Sequence, residues 1–144
     1  MALIEITRTS SLTAEEAWRR LTLWEAHGKH VPFTKIHREG PTHEGVGTLF
    51  IARTGVARLG FDDPMRVTVW EPPTDGGRGF CRIEKEGKVV TGWAEVTVTS
   101  SPSGCDVVWR EDATLAGPRF LERPSTLVSK VLFGRVVSGL LADS

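Results

Sequence analysis

This 144-residue chain has no tyrosine, only two cysteines and no excess of charge of either sign. It also lacks a hydrophobic run long enough to cross a bilayer. Each shortage excludes something. Lys plus Arg and Asp plus Glu both number 18, so no net field draws the chain toward nucleic acid or an anionic membrane. Cys81 and Cys105 have neither metal nor redox spacing and read as free, small core residues. No metal or other cofactor is implied. The most apolar stretch, "TLVSKVLFGRVVSGLLA", falls short of the about 20 residues a span needs and carries Lys130 and Arg135. The N-terminal "MALIEITRTSS" has Glu5 and Arg8 in a short alternating run, without the basic start and apolar centre of a signal peptide. The expectation is a cytoplasmic protein with no membrane span and no nucleic-acid partner.

What is present fits one domain over residues 1–144. At this length a single core removes roughly 70% of the unfolded surface from water, and no repeat, linker or low-complexity tract divides the chain. "ALIEITRT" alternates as a first strand would. The period then changes. In "LTAEEAWRRLTLWEAHG", Thr13 and Glu16 have capping-box spacing, and Ala17, Trp18, Leu21 and Trp24 share one helical face. Gly28 is placed to close that helix in a left-handed conformation. After Pro32 come "FTKIHRE", "GTLFIART", "MRVTVWEP", "GFCRIEKEG", "VVTGWAEVTVT" and "CDVVWREDATL", rich in β-branched and aromatic residues and divided by turn formers. Their spacing leaves no room for crossover helices, so neighbours should pair antiparallel as a meander. From Pro118 the pattern is helical again, with Pro124 near the start and Phe120, Leu127, Val128, Val131 and Leu132 on or near one face. The fold class is α+β.

Four stretches raise the question of chemistry. His27 and His30 in "WEAHGKHVP" stand three residues apart. They could ligate a metal only if the helix ran through His30, which Gly28 and the step before Pro32 oppose. A helix-to-strand junction is the simpler reading. In "GFDDP", Asp62 and Asp63 are adjacent, so their side chains diverge, and an Asp before Pro at a strand entrance reads as a turn former. The G-x-G of "HEGVGTLF" lacks a following helix and reads as a tight hairpin turn. The tryptophans are the more telling group. Trp70, Trp93 and Trp109 lie in predicted strands; Trp109 shares a face with Val107 and Glu111, and Trp93 with Thr91, Glu95 and Thr97. Large rings beside a few polar groups suit an apolar pocket with orienting polar contacts, and equally an ordinary core margin.

The last helix is apolar nearly all round, with Phe133, Val137 and Leu140 lying away from the Val128 and Val131 side. One contact surface cannot bury both sides, so the second is expected to meet a second copy in a homodimer, or else the first helix through Trp18, Leu21 or Trp24.

Strand, short helical segment, six-stranded antiparallel sheet and long C-terminal helix is the order of the helix-grip fold. Over nearly its whole length the chain resembles the START-related superfamily called SRPBCC, in its bacterial polyketide cyclase/dehydrase-like branch. The stretches that carry the resemblance are "TAEEAWRRLTLWEAHGKHVP", "EGVGTLF", "MRVTVWEPP", "GWAEVTV" followed by "SGCDVVWRED", and the terminal helix. The resemblance implies a curved sheet gripping the long helix, with an apolar cavity between them that in relatives holds lipids, sterols, hormones or polyketides. It carries over no catalytic motif.

The functional expectation is a carrier or sensor of a hydrophobic, lipid- or polyketide-like small molecule. Its candidate lining is Phe50, Val67, Val69, Ile83, Trp93, Trp109 and Glu111 from the sheet and Leu127, Val128 and Val131 from the helix, with the cavity-facing side of the strands left open. The alternative is a cyclase- or dehydratase-like enzyme using a pocket acid or base among Glu95, Glu111, Arg53 and Arg110.

Overall fold

The computed structural model describes residues 3–31, 33–39, 45–56, 59–74, 77–115 and 134–142. Strand β1 (Leu3–Ser10) is followed by helices α1 (Ala14–Leu21) and α2 (Trp24–His27) and a 3-10 turn (Gly28–His30). Then come β2 (Thr34–Glu39), β3 (Leu49–Val56), β4 (Leu59–Glu71), β5 (Arg78–Lys85), β6 (Val90–Ser101) and β7 (Gly104–Leu115). Helix α3 spans 134–142. The sheet runs β1-β7-β6-β5-β4-β3-β2, antiparallel at every step. This is the expected meander, with the first strand added beside the last.

Alternation in the strands becomes alternation in burial. Ile4 and Ile6 of β1, Cys81 and Ile83 of β5, Ala94, Val96 and Val98 of β6 and Cys105, Val107 and Trp109 of β7 all belong to one core, because paired residues in an antiparallel ladder point to the same face. Helix α1 adds Ala14, Ala17, Trp18 and Leu21. Its start is set by Thr13, whose hydroxyl accepts from the Glu16 amide at 3.1 Å, half of the expected capping box.

The single helix expected through Gly28 is interrupted. The Thr22 amide and hydroxyl both reach the Trp18 carbonyl, at 2.9 Å and 2.8 Å, and Leu23 leaves the helical region at φ −80°, ψ 84°. Gly28 is right-handed, at φ −61°, so it provides no left-handed cap. A glycine is needed there for another reason, since a Cβ would lie 3.2 Å from the Thr34 carbonyl oxygen.

Strand β4 begins well before the expected "MRVTVWEP" and runs straight through Asp62, Asp63 and Pro64. The turn expected there does not form. Pro64 is accommodated where β5 gives out: the β4–β5 ladder reaches the Met65–Lys85 pair, and beyond it the Pro64 carbonyl accepts from the Glu86 amide at 2.8 Å.

Helix α3 is held by side chains from three directions. Arg8 Nε donates to Ser138 Oγ at 2.9 Å, and Arg20 Nη1 donates to the Leu141 carbonyl at 3.1 Å, near the helix end. The His30 ring lies so close to Gly139 that a Cβ would come within 2.6 Å of it. Val137 and Leu140 are each 1% exposed and pack in the same core as Trp18, Leu21 and Trp24. Val137 and Leu140 of the expected patch are therefore covered within the chain, as the alternative of packing by the first helix anticipates. Phe133, like Leu127, Val128 and Val131, lies outside the described residues. Among the described residues no helix is long and apolar enough to cross a membrane.

Candidate functional site

A cavity of about 120 Å³ lies between α2 and the inner face of the sheet. Its walls are mostly rings and aliphatic groups, including Trp24, Ile36, Phe50, Met65, Ile83 and Trp109. The break after α1 is what aims α2 inward. Trp24 stacks on Phe50 at 4.8 Å between centroids and 6° between planes. The His27 ring sits 5.6 Å from Trp24 and 5.7 Å from Trp109.

Strand register then brings charged side chains to the same space. Ala52 opposes Asp63, Met65 opposes Lys85, and Ala94 opposes Glu111, so all three ionisable groups share the inner face and line the cavity. Lys85 Nζ donates to Asp63 Oδ2 at 2.7 Å and lies 3.4 Å from Met65 Sδ. Asp63 Oδ1 is buried with no hydrogen-bond partner among the described residues. Glu111 is 4% exposed. Burial raises its pKa above the ordinary carboxyl value, because the charged form loses its water; the Lys85 ammonium opposes the rise, the Asp63 carboxylate adds to it, and the Trp109 indole N–H opposes it.

His27 Nε2 lies 2.7 Å from the Leu21 carbonyl, which can only accept. That nitrogen therefore carries the proton, and Nδ1 is the acceptor of the neutral ring. Burial lowers the His27 pKa to about 4, with the Leu21 carbonyl pulling the other way. The sequence-based reading of His27 as a helix end misses this placement, and only the proximity of Trp24 in the chain could have hinted at it.

The two groups give stability opposite dependences on pH. A His27 pKa lowered from 6.5 to about 4 means that the unfolded chain binds a proton in that window and the folded chain does not. Its contribution is complete above pH 6.5 and is lost as pH falls toward 4, an effect on the order of 3 kcal/mol. A raised Glu111 pKa means the reverse: the folded chain holds the proton longer, and stability falls as pH rises from 4.5 through the folded value. Glu111→Gln, which keeps the shape of the protonated carboxyl, is expected to raise the melting temperature more at pH 8 than at pH 5. His27→Gln is expected to flatten the acid limb. Thermal unfolding across pH 4 to 8 checks both; parallel curves for wild type and Glu111→Gln would contradict the buried carboxyl.

The residues expected to line a pocket separate into three groups. Phe50, Ile83, Trp109 and Glu111 border the cavity. Val67 is buried in the core opposite Ile83 without reaching the cavity wall. Val69 and Trp93 face the other way. Between Val67 and Val69 the register shifts by a β-bulge, which pairs Val69 with Arg82 and Trp70 with Cys81. Trp70 thereby turns inward to meet Trp18 at 5.2 Å. Trp93 and Trp109 cannot share a face, because Trp109 pairs with Val96, an odd number of residues from Trp93. Trp93 instead lies on the outer face near the Arg82 and Arg110 guanidiniums, 4.7 Å and 5.9 Å from its ring.

Of the expected acid-base candidates, Glu111 alone borders the cavity. Glu95 is bound by Arg82 at 2.7 Å on the outer face, where Arg110 approaches Glu5 and Glu95 at 3.5 Å and 3.8 Å. Arg53 pairs with Asp62 at 3.4 Å at the surface. His27 and Asp63, which the sequence reading sets aside as a helix end and a turn former, and Lys85, which it does not consider, border the cavity.

No protein-family model and no curated protein sequence matches the chain. Solved structures do match it, almost end to end. A protein of Thermus thermophilus shares 14% identity over 96% of this chain and 94% of its own, with a TM-score of 0.74. The Zhui aromatase/cyclase of Streptomyces sp. R1128 shares 15% identity over 96% of this chain and 92% of its own, at 0.65. Norcoclaurine synthase of Thalictrum flavum, in complex with dopamine and hydroxybenzaldehyde, shares 14% identity over 99% of this chain and 88% of its own, at 0.62. Coverage this complete at such low identity shows a common architecture, and the chain has the α+β helix-grip fold that these structures share.

Proposed function

We propose that the cavity takes up a hydrophobic small molecule and that the protein acts as its carrier or sensor. The observation that carries this reading is the cavity of about 120 Å³ walled by Trp24, Phe50, Ile83 and Trp109. An apolar cavity of about 150 Å³ is known to stay dry and to bind benzene, so the described space suits one ring or the end of a longer, lipid- or polyketide-like chain. Leu127, Val128 and Val131 remain part of the proposed lining. Likeness to a synthase held with dopamine and hydroxybenzaldehyde, and to an aromatase/cyclase, supports the choice of a ring-bearing ligand.

The test is stabilisation by toluene. A ligand that binds only the folded state at 100 times its Kd adds about 2.7 kcal/mol, read as a higher melting temperature, and Trp24 and Trp109 should report its entry as a change in fluorescence. Ala52→Phe, which places a ring in the cavity, is expected to abolish both effects. Absence of any shift in the wild type at saturating toluene and at saturating phenol would reject the reading.

A second reading rests on Glu111. A carboxyl whose pKa is raised by burial inside an apolar cavity holds its proton to higher pH than an ordinary carboxyl, the direction a general acid in a cyclase- or dehydratase-like enzyme would need. Turnover of a bound hydroxylated ring compound, lost in Glu111→Gln, separates this reading from a carrier.

A further inference from the structure

We infer that the ligand carries a hydroxyl group, and that Asp63 and Lys85 receive it on the polar side of the cavity. The inference rests on the proposed binding function and names the chemistry of its ligand. Asp63 Oδ1 is a buried acceptor with no donor among the described residues, while Asp63 Oδ2 is engaged by Lys85 at 2.7 Å. The Lys85 ammonium has three N–H donors. One goes to Asp63, and its other described partner is the Met65 thioether at 3.4 Å, a weak acceptor. Among the described residues the site therefore offers an acceptor without a donor and spare donor capacity on two paired side chains, beside the buried Glu111 carboxyl.

Few small groups satisfy both. A hydroxyl donates to Asp63 Oδ1 and accepts from Lys85 Nζ. An ether or ketone has no proton for Asp63. A carboxylate adds negative charge beside Asp63, and an ammonium adds positive charge beside Lys85, each in a site with little water to screen it. The cavity volume limits the rest of the molecule to about one ring. The ligand class is thus a small neutral hydroxylated ring, with phenol as its simplest probe.

Phenol and toluene have nearly the same shape, and toluene is the more hydrophobic, so apolar burial alone favours toluene. Titrations at pH 7 with phenol, toluene and benzoate, followed by tryptophan fluorescence and calorimetry, are expected to rank phenol at least about tenfold tighter than toluene, the factor that one well-placed hydrogen bond supplies, with benzoate weakest. The double variant Asp63→Leu/Lys85→Met removes both charges without leaving either one buried alone, and there toluene is expected to bind as well as phenol or better. Toluene matching phenol in the wild type, or benzoate binding tightest, would overturn the hydroxyl assignment while leaving an apolar cavity in place. A phenol preference that survives in the double variant would overturn the role of Asp63 and Lys85. Failure of all three probes to bind would instead sink the binding function itself. The wild-type ranking decides the ligand class even where the variant does not fold.

Discussion

Lys85→Met is expected to lower the free energy of unfolding by about 3–5 kcal/mol, the cost of leaving one member of a buried ion pair without its partner. The Lys85 and Asp63 side chains are only 6% and 13% exposed. Removing the ammonium strands the Asp63 carboxylate in an apolar cavity beside Glu111. Since a domain of this kind is stable by about 5–15 kcal/mol in all, the loss is a large share of the total. Adding Asp63→Leu should restore most of it, because an apolar pair in the same space needs no desolvated charge. Arg66 and Glu86 give the contrast: their 2.7 Å pair has side chains 40% and 43% exposed, and Arg66→Ala is expected to cost under about 1 kcal/mol. Urea denaturation of the four proteins checks the ordering. A Lys85→Met cost no larger than that of Arg66→Ala would contradict the buried pair.

Leu140→Ala is expected to cost about 2–5 kcal/mol, the range for emptying a well-packed leucine site. Leu140 lies in the core with Trp18, Leu21 and Val137, so its loss opens a void between α3 and the rest of the domain. The melting temperature should fall by the same amount at low and high micromolar concentration. Were the α3 face a contact between copies, the loss would instead depend on concentration and light scattering would show a change of mass.

The change of period from two to 3.6 and back carried the order of elements, and short turn clusters carried the antiparallel meander. Those signals are local. The inner face of each strand is not local, because it depends on register. Val67 and Val69 look equivalent in a plain alternation, yet the bulge between them sends Val69 outward and Trp70 inward. Trp93 and Trp109 look alike until Val96 is seen opposite Trp109. Asp63 and Lys85 were passed over for the opposite reason: a charge in a strand is usually solvated, and the Asp-Pro step concealed the strand that turns Asp63 inward. The amphipathic analysis of the last helix rightly marked Val137 and Leu140 as needing cover. It could not show that α1 and the sheet would cover Val137 and Leu140 within one chain.

The central claim is that the space between α2 and the sheet is a ligand site, and crystals of the wild-type protein soaked in phenol test it most directly. Density for a ring is expected between Trp24, Phe50 and Trp109, with its oxygen within hydrogen-bond distance of Asp63 Oδ1 and Lys85 Nζ. A cavity closed by its own side chains, with no ring bound at saturating phenol, would contradict it.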